Sequence, residues 1–327
     1  MNRNMFDFFL NDKFDVRINQ YVDNEIIDGV LINKDDNSEI IIKNGIPRFT
    51  DNDYSDTFGF QWNLFQDLQI DSKNGNNYSE DRIKLNTKWD LNDLKGKYVL
   101  ECGSGPGRFS EIFLKYGAFL VSVDMSSAID VNRKNQNANC NHMLIQADIN
   151  KLSYFSNKFD YVFCYGVLQH TPSPLFTLST LLKYCKVKTG KLSCDVYEKS
   201  YIPKSWTFPK YAIRPFIKNI SKEKLLKIIK WYVPKYIKFD TFLKQKIKGG
   251  HYIASLIPIP IYNYLDHKFT EQERVNHAIM DTFDALSPVY DNPLNKRMIE
   301  NYLNKIDNKF SYDIKPGANG LVINLFK

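Results

Sequence analysis

This chain of 327 residues has no long apolar run, no Cys-x-x-Cys pair, no internal repeat and no low-complexity tract. Its longest apolar stretch, Tyr252 to Leu265, is too short to span a bilayer and is broken by Pro258 and Pro260, so a soluble protein is expected. Cysteines are few: Cys102, Cys140, Cys164, Cys185 and Cys194. An odd, unpaired set, several of them inside apolar runs that read as buried strands, argues against a disulfide framework or a zinc knuckle. It fits a reducing cytoplasm. The first residues, among them Asn2, Arg3, Asn4 and Asp7, are polar or charged and do not read as a secretory signal.

What is present is ordinary in bulk and uneven in placement. Hydrophobic residues make up 43% and charged residues 25%, as in a soluble globular protein with a real core. Aromatics reach 14%, which suits an apolar cleft. The net charge of +7 is local: residues 201–250 hold thirteen Lys or Arg against Glu223 and Asp240. The rest of the chain is therefore slightly acidic.

The most informative stretch is Tyr98-Val99-Leu100-Glu101-Cys102-Gly103-Ser104-Gly105-Pro106-Gly107-Arg108-Phe109. A buried strand ends in an acid, three alternate glycines turn the chain, and Ser110 to Leu114 open a helix. Glycine has no Cβ, so such a turn brings bare backbone close to a ligand. The dinucleotide fingerprint is G-x-G-x-x-G with a pyrophosphate at the helix start. Here the spacing is G-x-G-x-G, and Glu101 would repel a pyrophosphate while suiting a cationic amino group. A ligand with an α-amino group, a sulfonium and an adenosine meets these demands, and S-adenosylmethionine is that ligand.

Strands and helices then alternate as in a Rossmann-like, doubly wound α/β fold with a mostly parallel sheet. Phe119 to Val123 ends at Asp124, where a carboxylate can accept the ribose hydroxyls. His142 to Ala147 ends at Asp148, on the adenine side. Phe159 to Cys164 runs into Tyr165-Gly166-Val167-Leu168-Gln169-His170-Thr171-Pro172, beside the methionine half. The cofactor set is thus Glu101, Cys102, Gly103, Ser104, Gly105, Gly107, Arg108, Asp124, Met125, Ser126, Ala147, Asp148, Ile149, Tyr165, Gly166 and Val167. The chain divides into four regions. Residues 1–78 form an N-terminal β hairpin appendage and an aromatic flap, and 79–200 the cofactor-binding core. Residues 201–290 form a basic, mostly helical insertion or cap over the cleft. Residues 291–327 supply a helix, placed at Leu294 to Ile306 with Asn292-Pro293 at its start, and an antiparallel strand pair that completes the core sheet.

The region from about Leu94 to Glu198 resembles the class I S-adenosylmethionine-dependent methyltransferases, in the broad group that includes quinone-biosynthesis and small-molecule enzymes. It resembles more closely a bacterial subfamily often encoded with surface-polysaccharide genes. The shared stretches are Asn44 to Phe49, Phe58-Gly59-Phe60-Gln61-Trp62-Asn63, the core motifs, Gly166 to Pro172, Asp281 to Pro288 and Tyr290 to Pro293. The resemblance implies methyl transfer to a small-molecule or glycan acceptor, expected at oxygen. C-methylation of a quinone-like molecule and a non-catalytic cofactor-binding partner subunit stay open as alternatives. Relatives often carry Cys-Pro-x-Cys where this chain has Asn33-Lys34-Asp35-Asp36, so no zinc is expected there. They usually show His-His where this chain has Gln169-His170.

His170 is the candidate general base, against the simpler reading that it shapes the turn after its strand. Phe60, Gln61 and Trp62 are candidates on the acceptor side; the alternative is a helix packing its apolar side on the core. Asp281 and Asp284 are further acceptor-side candidates, and no metal is assigned to them. The basic segment reads as a solvated cap, as an attractor for an anionic acceptor such as a nucleotide-sugar or lipid-linked glycan, or as a weak contact with the inner membrane face. No nucleic-acid reader motif accompanies the charge.

Overall fold

The computed structural model describes residues 1–50, 56–137, 139–199, 207–217, 219–257, 259–265, 269–306 and 310–327. The basic segment begins at Tyr201, so its first part, 201–206, lies outside the described residues. The chain divides into two compact units, Met1–Lys199 with Tyr290–Lys327, and Ser200–Val289.

The first unit opens with α1 (Arg3–Phe9) and an antiparallel sheet of β1 (Phe14–Val22), β2 (Glu25–Asn33), β3 (Glu39–Lys43) and β4 (Ile46–Pro47). The predicted hairpin is β2 and β3; α1 and β1 are additions. The edge strand β1 is mostly exposed, so its alternation Phe14-Asp15-Val16-Arg17-Ile18 marks little burial. Next come α2 (Asp56–Leu64), α3 (Asp71–Asn74) and α4 (Tyr78–Thr87). The α/β alternation follows: β5 (Tyr98–Cys102), α5 (Ser110–Lys115), β6 (Phe119–Asp124), α6 (Ala128–Gln136), β7 (His142–Gln146), β8 (Tyr161–Cys164), α7 (Pro174–Tyr184) and β9 (Lys191–Val196).

The second unit contains α8 (Thr207–Ile217), α9 (Lys222–Lys246), α10 (Gly250–Leu256) and α11 (Glu271–Leu286). Within the basic segment α9 runs unbroken to Lys246 through Pro234. Proline forfeits one hydrogen bond there, but Leu225, Ile229, Val233, Ile237 and Leu243 keep one continuous buried row. A capping box between Thr270 and Glu273 starts α11, a T-x-x-E signal that the sequence reading passes over.

The chain then returns to the first unit through α12 (Lys296–Leu303), β10 (Ser311–Gly317) and β11 (Gly320–Phe326). Asn292-Pro293 does not start α12: Asn295 caps it by accepting from the Met298 amide, while the Asn292 side chain donates to the Thr171 carbonyl.

The seven-stranded sheet has the order β10-β11-β9-β8-β5-β6-β7. Pairs β5–β6, β6–β7, β5–β8 and β8–β9 are parallel, and β11 is antiparallel to both β9 and β10. The winding reverses at β5, because β6 and β7 lie to one side and β8 and β9 to the other. Open α/β sheets bind ligands outside the carboxyl ends at such a reversal, and the glycine turn leaves β5 there. Both faces of the sheet are covered. Leu100 and Cys102 pack with Leu178 and Leu181 on one side, and Val99 packs with Ile83 and Phe113 on the other.

The small N-terminal sheet is fastened to the edge of the large one. The Phe49 amide donates to the Gln146 carbonyl at 2.8 Å, and the Arg48 guanidinium grips Asp130 with two bonds of 2.6 and 3.0 Å. Arg133 grips Glu25 in the same forked way at 2.7 and 3.0 Å. Among the described residues no helix is long and apolar enough to cross a membrane. All five cysteines are free; Cys140 is exposed, unlike the other four, because it sits in the turn before β7.

Candidate active site

Gly103 and Gly107 show why the turn after β5 must be glycine. Both have positive φ, +74° and +92°. A Cβ on Gly103 would collide with a Val167 methyl, and one on Gly107 would lie 2.5 Å from Asn132 Oδ1. The turn is held from beneath by α6, where Asn135 donates to the Pro106 carbonyl and Gln136 to that of Gly107. The Gly105 amide donates to Asp124 Oδ2 at 2.8 Å, while Ser126 gives its amide and hydroxyl to Oδ1. Oδ1 is filled by its two donors, while Oδ2, with one, keeps acceptor capacity. Burial raises the Asp124 pKa, and the bonds from Ser126 and Gly105 oppose that rise.

Glu101 is buried at the end of β5. Its Oε2 accepts from Ser110 Oγ at 2.5 Å and from Ser122 Oγ at 2.7 Å. Oε1 is buried without a protein partner among the described residues, and so is the hydroxyl of Ser104. Burial pushes the Glu101 pKa up to about 7, against the two hydroxyl donors. Leaving a buried acceptor unpaired costs about 1–3 kcal/mol, and an ammonium group would remove that cost.

The other strand ends close the same region. The Ala147 amide donates to the Asp124 carbonyl at 3.1 Å, and Gln146 Nε2 to the Met125 carbonyl. Asp148 accepts from the Asn150 amide, and the Ile149 carbonyl accepts from Tyr184. Tyr165 stacks on Phe163 and shares a 2.9 Å bond with Ser193. The Gly166 amide donates to Asp195 Oδ1 at 2.5 Å, and Arg82 grips Oδ2 of the same carboxylate at 2.6 Å.

Residues 100–190 match the family model described as a methyltransferase domain. Within that stretch lie the acid, the glycine turn and the ends of β5 to β8. Residues 100–190 form a methyltransferase core on the Rossmann-like sheet.

Curated relatives match over this methyltransferase core. A ubiquinone biosynthesis O-methyltransferase of Coxiella burnetii is 41% identical over 85 residues, 25% of this chain and 36% of that protein. The protein of the same name from Pasteurella multocida is 35% identical over 107 residues, covering 29% of this chain and 43% of the relative. The match therefore spans about two fifths of these relatives' length. A solved magnesium protoporphyrin IX methyltransferase of Synechocystis with bound S-adenosylhomocysteine superposes with a TM-score of 0.42 at 14% identity, over 84% of this chain and 96% of that one.

The methyltransferase core fits its cofactor. Bare glycine backbone, a buried carboxylate oxygen unpaired among the described residues and a second carboxylate with acceptor capacity left on Oδ2 suit an ammonium group and a ribose hydroxyl. Some predicted residues meet this site through backbone only. The Cys102 side chain belongs to the apolar cluster on the other face of β5, with its thiol pKa raised by burial. The Arg108 guanidinium donates to Ser79 and Gln69 and lies over the Phe109 ring.

The Phe58 to Leu64 stretch is helical, and α2 touches the site at both ends. Phe58 packs its ring 5.1 Å from that of His170, and a Cβ on Gly105 would lie 3.4 Å from the Trp62 indole nitrogen. Gln61 and Trp62 follow Phe58 at i+3 and i+4, so each is its neighbour on the helix surface. The Gln61 carboxamide is buried, and neither polar atom has a partner among the described residues. Phe60, three residues before Asn63, is half-buried on the same helix. His170 Nδ1 is 3.0 Å from the Tyr290 carbonyl, and the ring meets Tyr197 edge-on. Asp281 and Asp284 lie on α11, in the second unit. Among the described residues no group of three His, Cys, Asp or Glu side chains is gathered as metal ligands would be.

Sequence reasoning missed Arg82, Asp195, Ser110 and Ser122. Asp195 and Ser122 left one visible trace, a polar residue inside an otherwise apolar buried strand. Arg82 left none.

Proposed function

We propose that this chain transfers a methyl group from S-adenosylmethionine to an oxygen of a small-molecule or glycan acceptor. The observation that carries the reading is the pairing of an acid-tipped β5, its Oε1 unpartnered, with a glycine turn whose amide is tied to Asp124. The curated relatives are named as O-methyltransferases of ubiquinone biosynthesis, which supports oxygen as the methylated atom. A glycan acceptor in surface-polysaccharide synthesis rests on the motif resemblance alone.

The cofactor supplies an electrophilic methyl on a sulfonium. The chain's own work is to bind, align and deprotonate. In this reading Glu101 Oε1 takes the ammonium, Asp124 a ribose hydroxyl, and the Ala147–Ile149 turn the adenine edge. Gln61 faces the acceptor with one donor and one acceptor group, suiting a neutral hydroxyl better than an ion. An attacking oxygen must lie in line at about 3 Å from the methyl carbon. His170 is retained as the base: the Tyr290 carbonyl fixes the proton on Nδ1, which makes Nε2 the basic nitrogen.

Calorimetry with S-adenosylhomocysteine, with NAD(H) as control, tests the cofactor assignment. Micromolar binding is expected, weakened at least tenfold in Asp124→Ala. No binding, or unchanged binding in the variant, would overturn it. Labelled methyl transfer to phenolic and glycan hydroxyl acceptors tests the reaction. Loss of a base in His170→Gln should lower kcat about 100-fold or more with cofactor affinity kept. Loss of turn shape alone would lower stability instead.

A further inference from the structure

The outer face of α9 carries a second apolar stripe. With 3.6 residues per turn, positions 228, 231, 235, 239, 242 and 246 fall in one row along the helix. Four of them are apolar and exposed: Ile228 at 41%, Trp231 at 68%, Phe239 at 47% and Phe242 at 52%. The buried row through Leu225, Ile229, Val233 and Ile237 lies on the other side, so the stripe is not the one that holds the unit together. Scattered exposed apolar residues are normal on a monomer, but four in one row are a patch.

On α9 itself the charge in and beside this stripe has one sign. Lys235 and Lys246 lie within it, and Lys224, Lys227 and Lys238 flank it. Lys224, Lys227, Lys235 and Lys246 are exposed and pair with no carboxylate among the described residues. Lys238 reaches Glu271 at 3.4 Å. Of the two acids of α9, Asp240 is buried against Lys244 and Asn263, and Glu223 is in the first turn away from the stripe. The Lys235 ammonium sits 4.3 Å from the centre of the Trp231 ring.

We propose that this face of α9 docks on an anionic lipid bilayer, parallel to its surface. Trp and Phe side chains have the size and polarity to enter the headgroup–acyl boundary, and lysine stems lie along apolar surface while their ammonium groups reach lipid phosphates. A protein partner would need acids matched to each lysine, whereas an anionic membrane offers negative charge at every position. This association is independent of methyl transfer, and it would bring the chain to acceptors that carry a lipid anchor.

Co-sedimentation of the full chain with phosphatidylcholine vesicles, with and without phosphatidylglycerol, tests the proposal without turnover. Binding is expected only with phosphatidylglycerol present, with a blue shift of tryptophan emission that Trp231→Phe abolishes. Each lysine near the surface contributes about fivefold, so Lys227→Glu with Lys235→Glu should weaken binding more than tenfold. Trp231→Ser with Phe242→Ser should do the same. Unchanged S-adenosylhomocysteine affinity in both double variants shows that they fold. Binding to neither vesicle overturns the proposal, as does binding that survives the Trp231 and Phe242 changes, which is charge attraction alone. Self-association on gel filtration that the Trp231 and Phe242 changes abolish would also overturn it, because a second copy would then cover the face.

Discussion

Glu101 and His142 share one hydroxyl. Ser122 Oγ donates to Glu101 Oε2 at 2.7 Å and lies 2.9 Å from His142 Nε2. A hydroxyl has one proton, and while Ser122 gives it to the carboxylate the imidazole must donate from Nε2. Nδ1 is left as a buried acceptor with no partner among the described residues. The acid and the base in this network are displaced in ways that pull the pH dependence of stability in opposite directions.

Glu101 sets the neutral limb. Its pKa is about 7 in the folded chain, raised by burial from 4.5. The native state keeps a proton that the unfolded chain has already released, so stability falls as pH rises from the unfolded value through the folded one. A shift of this size corresponds to about 3 kcal/mol. Glu101→Gln keeps an acceptor for Ser110 and Ser122 but cannot ionise. Urea unfolding should find the variant more stable than the parent at about pH 8, with the gap closing near pH 5. The same variant should bind S-adenosylhomocysteine more weakly, since it offers the ammonium group no charge. A gap that widened in acid would show that the serine hydroxyls, not burial, dominate.

His142 sets the acid limb. Burial lowers its pKa from 6.5 to about 3, with Arg133 adding to the shift and Glu25 opposing it. Here the unfolded chain takes a proton that the native state refuses, so stability is lost as pH falls from 6.5 towards 3. His142→Gln retains a donor for Ser122 and cannot titrate. Its acid-unfolding midpoint, followed by circular dichroism, should move to lower pH. An unmoved midpoint would assign acid unfolding to other groups.

The glycine turn and the acids at the strand ends were legible because each is local: a strand, its last residue and its turn are contiguous in the chain. The role of α2 was half legible, as a helix or a flap. What holds these pieces was not. Ser110 and Ser122 reach Glu101 from separate elements, and Arg82 meets Asp195 across 113 residues. The antiparallel pair β10–β11 and its place in the core sheet were legible, but nothing in either strand announces that β11, not β10, is the one that pairs with β9. The length of α9 was hidden by Pro234, because a proline is a stop only where no buried row continues beyond it.

Arg82 and Asp195 should behave as a unit. Asp195 is 3% exposed at its side chain and Arg82 16%, and one carboxylate oxygen is committed to the Gly166 amide. Removing one member of a buried pair typically costs about 3–5 kcal/mol, because the other charge is left unmatched. Arg82→Met should therefore lose about 3 kcal/mol in denaturant unfolding. Cofactor affinity should fall with it, since the Gly166 turn loses the brace on its anchor. A loss under about 1 kcal/mol would mean that water reaches the pair.

Gly103 and Val167 give the most direct test of how the turn is packed. Gly103→Ala would carry two costs: a left-handed φ of +74°, worth about 1–2 kcal/mol, and a methyl driven into the Val167 side chain, worth about 1–3 kcal/mol more. Only the second depends on Val167. Gly103→Ala with Val167→Ala should therefore regain the steric part of the lost stability and cofactor affinity while keeping the backbone part. The coupling between the two sites, read from a double-mutant cycle, should favour the double variant by about 1–2 kcal/mol. No coupling would mean that the turn yields by moving its backbone, so that the glycine is needed for its φ alone.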